Sequence, residues 1–157
     1  MIHHISISAK NPRQVAEILA EVLGGRATPF PVHPGSYMAF PGDEHGTGIE
    51  VYPLGSELIP GKGDEEAEFH KNASPSQYSA THAAISVHLN QDQIEEIATR
   101  EGWRVQRCNR GGAFDVIEFW IENRLLVELL TPEMASQYLA FTRPEVWEKF
   151  VAMAIPA

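Results

Sequence analysis

The sequence predicts an α+β protein made of two pseudo-symmetric copies of one β-α-β-β-β module. Two observations predict it. The first is an echo: His4 is followed 46 residues later by Glu50, and His82 is followed 46 residues later by Glu128, with the two sets offset by 78 residues. The surrounding text repeats too, His4-Ile5-Ser6-Ile7-Ser8 against His82-Ala83-Ala84-Ile85-Ser86, and Ile49-Glu50-Val51-Tyr52 against Val127-Glu128-Leu129-Leu130. The second is the order of hydrophobic periods. Each copy opens with strand-like alternation, continues with a helical stripe and closes with three more strand-like stretches. A repeat of this kind decides the fold before any single element does.

Residues 2–9 alternate, with Ile5, Ile7 and Ala9 on one face and His4, Ser6 and Ser8 on the other, the pattern of a half-buried strand. Asn11-Pro12 then supplies a cap and a proline suited to the first helical position. Val15, Ile18, Leu19, Val22 and Leu23 form the apolar stripe, and Gly24-Gly25 ends the helix. Strands are expected near 26–30, 36–40 and 47–52, the last with Ile49 and Val51 toward the core and Glu50 and Tyr52 away from it. The second copy opens with a strand over 81–88. Asn90 to Gln93 resembles a capping box for a helix carrying Ile94, Ile97 and Ala98 and stopping at Gly102. Strands near 103–108, 114–121 and 125–131 follow, with Asn123-Arg124 as the turn of the last hairpin.

The domain reading is therefore residues 1–131, made of modules 1–54 and 80–131 joined by 55–79. Those joining residues are rich in Gly, Pro, Ser and acidic side chains and read as a linker or mobile loop, with a lid over a site as the functional alternative. Residues 132–157 form a helical tail whose Val146, Trp147, Phe150 and Val151 are assigned to packing against the body or a partner subunit.

Composition narrows the function. The chain has 157 residues, 43% apolar and 21% charged, as expected for a small globular protein. A net charge of −9 argues against a nucleic-acid groove, which needs clustered Lys and Arg. The single Cys108 excludes an internal disulfide. The N-terminus begins directly in strand-like sequence, so no signal peptide is expected, and no apolar run approaches a membrane span. A cytoplasmic homodimer acting on a small molecule, with no nucleic acid or membrane partner, is the expected setting.

The alternation puts His on the face of each first strand that points away from the helix, and Glu on that face of each last strand. Glu128 lies inside Leu125-Leu126-Val127-Glu128-Leu129-Leu130. A buried carboxylate there must be paired or bound to a cation, because an unpaired one is strongly unfavourable. Two imidazoles and two carboxylates, His4, Glu50, His82 and Glu128, suit a divalent metal; with no sulfur ligand, Ni, Co, Zn, Mn or Fe all fit. His3 competes for the role of His4, but its alternation places it beside Ile5 and Ile7. His33, His45, His70 and His88 have no matching partner and read as surface residues.

These residues resemble the glyoxalase/bleomycin-resistance, or vicinal oxygen chelate, superfamily over roughly residues 2–131. The resemblance implies paired βαβββ modules forming an open barrel-like cup around a metal, with ligands on the first and last strand of each module, which maps onto His4, Glu50, His82 and Glu128. The His-Glu-His-Glu order is most similar to bacterial-type glyoxalase I, or lactoylglutathione lyase. Extradiol dioxygenases and fosfomycin-resistance enzymes generally use three protein ligands, which Glu50 disfavours. Departures from the glyoxalase I pattern are the long segment 55–79, the extra tail and the lack of a recognisable glutathione-binding Arg/Asn set.

The resemblance implies a metal-dependent lyase or isomerase acting on adjacent oxygens through an enediolate, with Glu128 and Glu50 as catalytic candidates. Glu128→Gln is expected to cost more turnover than Glu50→Gln. The alternatives are a small-molecule-binding or resistance protein, with Tyr52 and the aromatics of 114–120 lining its pocket, and an Fe(II) ring-cleaving dioxygenase.

Overall fold

A computed structural model describes residues 2–154. The chain divides into two compact units, Met1–Ser79 and Ala80–Ala157. Each is an α+β unit built around a βαβββ sheet.

The first unit opens with β1 (His4–Ala9) and α1 (Pro12–Leu23), followed by β2 (Arg26–Pro29), β3 (Tyr37–Phe40) and β4 (Gly48–Pro53). The Asn11 side chain accepts the Gln14 N–H, Pro12 fills the first turn, and Gly24 closes α1 at φ +70°. The sheet order is β1-β4-β3-β2, with β1 parallel to β4 and the other pairs antiparallel. A parallel first–last pairing needs a crossover, and α1 together with the β2–β3 hairpin supplies it. Val15, Ala16, Leu19 and Val22 are buried, as are Ala9, Ala39, Ile49 and Val51 of the sheet. Each fully buried Val, Leu or Ile among them contributes about 1.5–3 kcal/mol. The opposite face of the sheet is left to His4, Ser6, Ser8, Glu50 and Tyr52.

The segment read as a linker carries structure of its own. β5 (Ser56–Ile59) and β6 (Glu68–Lys71) form an antiparallel hairpin with Leu58 directly across from Phe69. Its strands are only four residues long and its apolar content is low, so alternation alone could not announce it. Tertiary contact supplies what propensity lacks: the Phe69 ring packs against Tyr52 at 5.1 Å and His33 at 4.4 Å between ring centroids.

The second unit repeats the plan with β7 (Ala83–Ser86), α2 (Gln91–Glu101), β8 (Arg104–Asn109), β9 (Asp115–Ile121) and β10 (Leu125–Leu130), in the order β7-β10-β9-β8. The capping box at Asn90 and Gln93 is formed on both sides. Register repeats as well: Ser6 pairs Glu50 in the first sheet and Ala84 pairs Glu128 in the second, the same rungs displaced along the chain by one module. Ile94, Ile97, Ala98, Phe119, Val127 and Leu129 are buried in the core of this unit. Two local expectations shift. His82 lies one residue before β7 instead of inside it. The β9–β10 turn centres on Glu122 and Asn123, both at positive φ, closed by Arg124 N–H donating to Ile121 O at 3.0 Å. Asn123 is held in the left-handed position, which Asn tolerates better than most residues, by side-chain bonds to the end of α2 and the start of β8. Its Oδ1 accepts from Arg104 N–H at 2.6 Å, and its Nδ2 donates to Gly102 O at 2.9 Å.

The tail is two helices, α3 (Pro132–Phe141) and α4 (Pro144–Ala154). Phe114, Tyr138, Phe141, Trp147 and Phe150 form a chain of ring contacts along it. Among the described residues, no helix is long and apolar enough to cross a membrane.

Candidate active site

In the first unit, the β1–β4 pairing sets Ser6 directly opposite Glu50 and puts His4 two residues away on the same face. His4 Nε2 stands 3.8 Å from Glu50 Oε1. Ser6 Oγ donates to Glu50 Oε2 at 2.6 Å, and the Tyr52 hydroxyl donates to the same oxygen at 3.1 Å. The carboxylate is thus held from one side by two neutral donors, with its other oxygen turned to the imidazole. The Glu50 side chain is only 13% exposed, whereas His4 is 56% exposed. Burial pushes the Tyr52 phenol up to about 12, assisted by the hydrogen bond to Glu50, so it remains a proton donor across the working pH range.

The second unit solves the same carboxylate differently. Glu128 is buried, and its Oε1 accepts from both Nε and Nη2 of Arg110. Arg110 Nη2 also reaches Glu118 Oε1 at 3.0 Å, and Trp120 Nε1 donates to Glu118 Oε2 at 3.2 Å. Burial pushes the Glu118 carboxyl up, but hydrogen bonds from Trp120 and Arg110 outweigh it and hold it below its ordinary value. The Cys108 thiol is pushed up by burial and then by the Glu118 charge, so it is not an activated nucleophile. Among the described residues, His82 pairs with a backbone carbonyl and not with Glu128: its Nδ1 lies 3.0 Å from Ala80 O. A carbonyl only accepts, so Nδ1 carries a proton, which in the neutral ring places the lone pair on Nε2.

The Glu128–Arg110 pair is the cation partner that the apolar run around Glu128 demanded, provided by a side chain. Arg110 was missed because it lies in the loop before β9, where nothing in periodicity marks it. His33, read as a surface residue, sits half-buried in the Tyr52–Phe69 cluster, and His3 Nδ1 bonds His45 O at 2.8 Å. A cleft of about 500 Å³ beside Gly24, Phe40 and Gly46 contains none of the four candidates.

No protein-family model and no curated protein sequence matches the chain. Solved structures do. The fosfomycin resistance protein FosX of Listeria monocytogenes, in a complex with Mn(II) and sulfate, superposes with a TM-score of 0.57 at 14% identity, over 90% of this chain and 97% of that one. FosX from Mesorhizobium loti gives 0.53 at 13% identity, over 88% and 96%. A glyoxalase family protein from Bacillus anthracis gives 0.51 at 15% identity, over 82% and 92%. The chain has the glyoxalase-type fold of these neighbours. The fosfomycin-resistance branch, which ligand counting disfavoured, is among its structural neighbours, because the fold constrains strand order and leaves ligand number free.

The Listeria neighbour holds a divalent metal, Mn(II). The donors here fit such an ion in part. Two ligands each about 2.1 Å from one metal stand about 3.0–3.4 Å apart, so the His4–Glu50 spacing needs only a small closure. His82 presents Nε2 with its other nitrogen anchored on a carbonyl, the usual orientation for a metal-binding imidazole. Glu128 fits only by exchanging the Arg110 guanidinium for the metal at Oε1 or by using Oε2. Among the described residues, no group of three His, Cys, Asp or Glu side chains is placed to hold a metal ion, so the four candidates are not brought together.

Proposed function

We propose that the chain is a divalent-metal-dependent lyase or isomerase acting on a small substrate with adjacent oxygens, and that Glu50 is its proton-transferring carboxylate. His4, Glu50, His82 and Glu128 would hold the metal. When bound, the ion would supply Lewis-acid polarisation of the substrate oxygens. The proton work falls to the chain. Glu50 takes the proton from the carbon bearing one oxygen and returns it to its neighbour, so no external acid, base or oxidant is consumed.

The observation that carries this assignment is the unequal treatment of the two carboxylates. Glu50 is steadied at Oε2 by the Ser6 and Tyr52 hydroxyls, while its Oε1 faces His4. Glu128 is ion-paired with Arg110, whose Nε and Nη2 both donate to Oε1, so that oxygen is already occupied. The expectation that Glu128→Gln costs the most turnover is therefore reversed. Glu50→Gln should reduce turnover by roughly 100-fold or more, the range of general acid–base catalysis, with thermal stability nearly unchanged. Glu128→Gln should act first on stability and metal content. The assay begins with the hemithioacetal of methylglyoxal and glutathione and extends to other adjacent-oxygen substrates. Full activity in Glu50→Gln would refute the assignment.

A second reading is favoured by one neighbour. A variant of the Listeria FosX, with TM-score 0.57, is complexed with Mn(II) and 1S,2S-dihydroxypropylphosphonic acid, itself a carrier of adjacent oxygens. A resistance role of that kind would use Glu50 to activate water. Loss of fosfomycin on incubation with the metal-loaded protein would select this reading over the isomerase.

A further inference from the structure

We infer that the β5–β6 hairpin caps a specificity pocket beside Glu50 that takes one small uncharged group of the substrate, a single ring or a branched chain. The inference deepens the proposed function and rests on it. The pocket measures about 230 Å³ and is lined by Ser6, Ser8, Tyr52, Ser56, Leu58 and Phe69. It therefore lies between the polar face of the first sheet and the hairpin that packs over it. Tyr52 belongs to both: its hydroxyl bonds Glu50 while its ring packs on Phe69. Whatever fills the pocket therefore lies against the side chain that holds Glu50 in place.

Size and charge define the occupant. A dry cavity of roughly 150 Å³ admits a benzene-sized ring, and drug-sized ligands need about 300–1,000 Å³. The pocket falls between them, so it takes a small metabolite or one part of a larger ligand. Among the described residues, no charged side chain lines it, so a carboxylate or ammonium there would be desolvated without a partner. The hairpin itself is sided. Ser56, Leu58, Phe69 and Lys71 share one face, of which Ser56, Leu58 and Phe69 line the pocket, while Glu57, Ile59, Glu68 and His70 occupy the other. Leu58 and Phe69 lie opposite one another and remain 56% and 38% exposed. Two adjacent exposed apolar side chains on a pocket wall are an unfilled contact surface.

The test uses 1-phenylethane-1,2-diol, a neutral single-ring molecule with adjacent hydroxyls, followed by amide chemical shifts on the full chain. Titration should move the amides of residues 6–8, 56–58 and 69 with a dissociation constant of roughly a millimolar, as suits a ligand of this size. Leu58→Trp, which fills the pocket from an exposed position, should weaken binding at least fivefold. Phe69→Ala, which removes one wall, should weaken it as well and decides the matter if the first variant does not fold. No saturable shifts, shifts mapping elsewhere, or unchanged affinity in the folded variants would overturn the pocket. Metal content measured on the same samples separates the two ideas: normal metal with no diol binding ends the pocket alone, and absent metal with diol binding ends the proposed chemistry alone.

Discussion

Glu50 and Glu128 are the same residue of a repeated module, and the side chains around them make them chemically different. At Glu50 the neighbours across the strand and two positions along are Ser6 and Tyr52; at Glu128 the equivalent positions are Ala84 and Leu130. Hydroxyl donors on one side and a guanidinium on the other follow directly from those substitutions. Glu118 is the residue that reports on the second cluster. Its folded pKa lies below the ordinary carboxylate value, so it contributes stability that is present above that value and lost as pH falls through the folded one. In urea denaturation between about pH 3 and pH 6, Glu118→Gln should therefore lose less stability on acidification than the parent chain. Parallel pH profiles for the two proteins would show that the Arg110 and Trp120 hydrogen bonds carry no such coupling. The candidate residues His4, Glu50, His82 and Glu128 were legible because they repeat at a fixed offset. Arg110, Ser6 as a partner of Glu50, and Phe69 were not, since each acts through tertiary contact that one-dimensional spacing does not encode.

At the scale of elements, caps and turns decide where strands begin and so which side chains face one another. Asn11, Asn90, Gly24 and Gly102 mark both helices in the sequence and do so in the structure. The β5–β6 hairpin escaped because short strands between charged turns carry no period strong enough to read. Two glycine-dependent positions give direct tests. A Cβ at Gly25 would sit 1.7 Å from the Phe40 carbonyl oxygen, a backbone atom that cannot swing away. Gly25→Ala should therefore destabilise the first unit by about 1–3 kcal/mol or more, read as a lowered urea midpoint. Conversely, Glu122 holds φ +51° in the β9–β10 turn, a conformation costing a side-chain-bearing residue roughly 1–2 kcal/mol. Glu122→Gly should raise stability by a part of that, about 0.5–1 kcal/mol, and an unchanged melting temperature would show that the turn is not strained.

The whole chain is one module written twice and then edited. The parallel β1–β4 and β7–β10 pairings, with their identical rungs, preserve the original unit. The hairpin of the first copy, the Arg110 cluster of the second and the tail helices α3 and α4 are where the copies depart. The α+β class and the order of its strands were readable because duplication shows each signal twice; the edits were hidden because each occurs once. If the duplicated His and Glu side chains serve a metal, the purified chain must carry one. Protein purified without chelators or an affinity metal should be dialysed against Mn(II), Co(II), Ni(II) or Zn(II) and analysed by elemental mass spectrometry. About one ion per chain should bind and be lost in the His4→Ala/His82→Ala double variant, with the fold retained by circular dichroism. Substoichiometric metal under every condition, or the same stoichiometry in the double variant, would contradict that role.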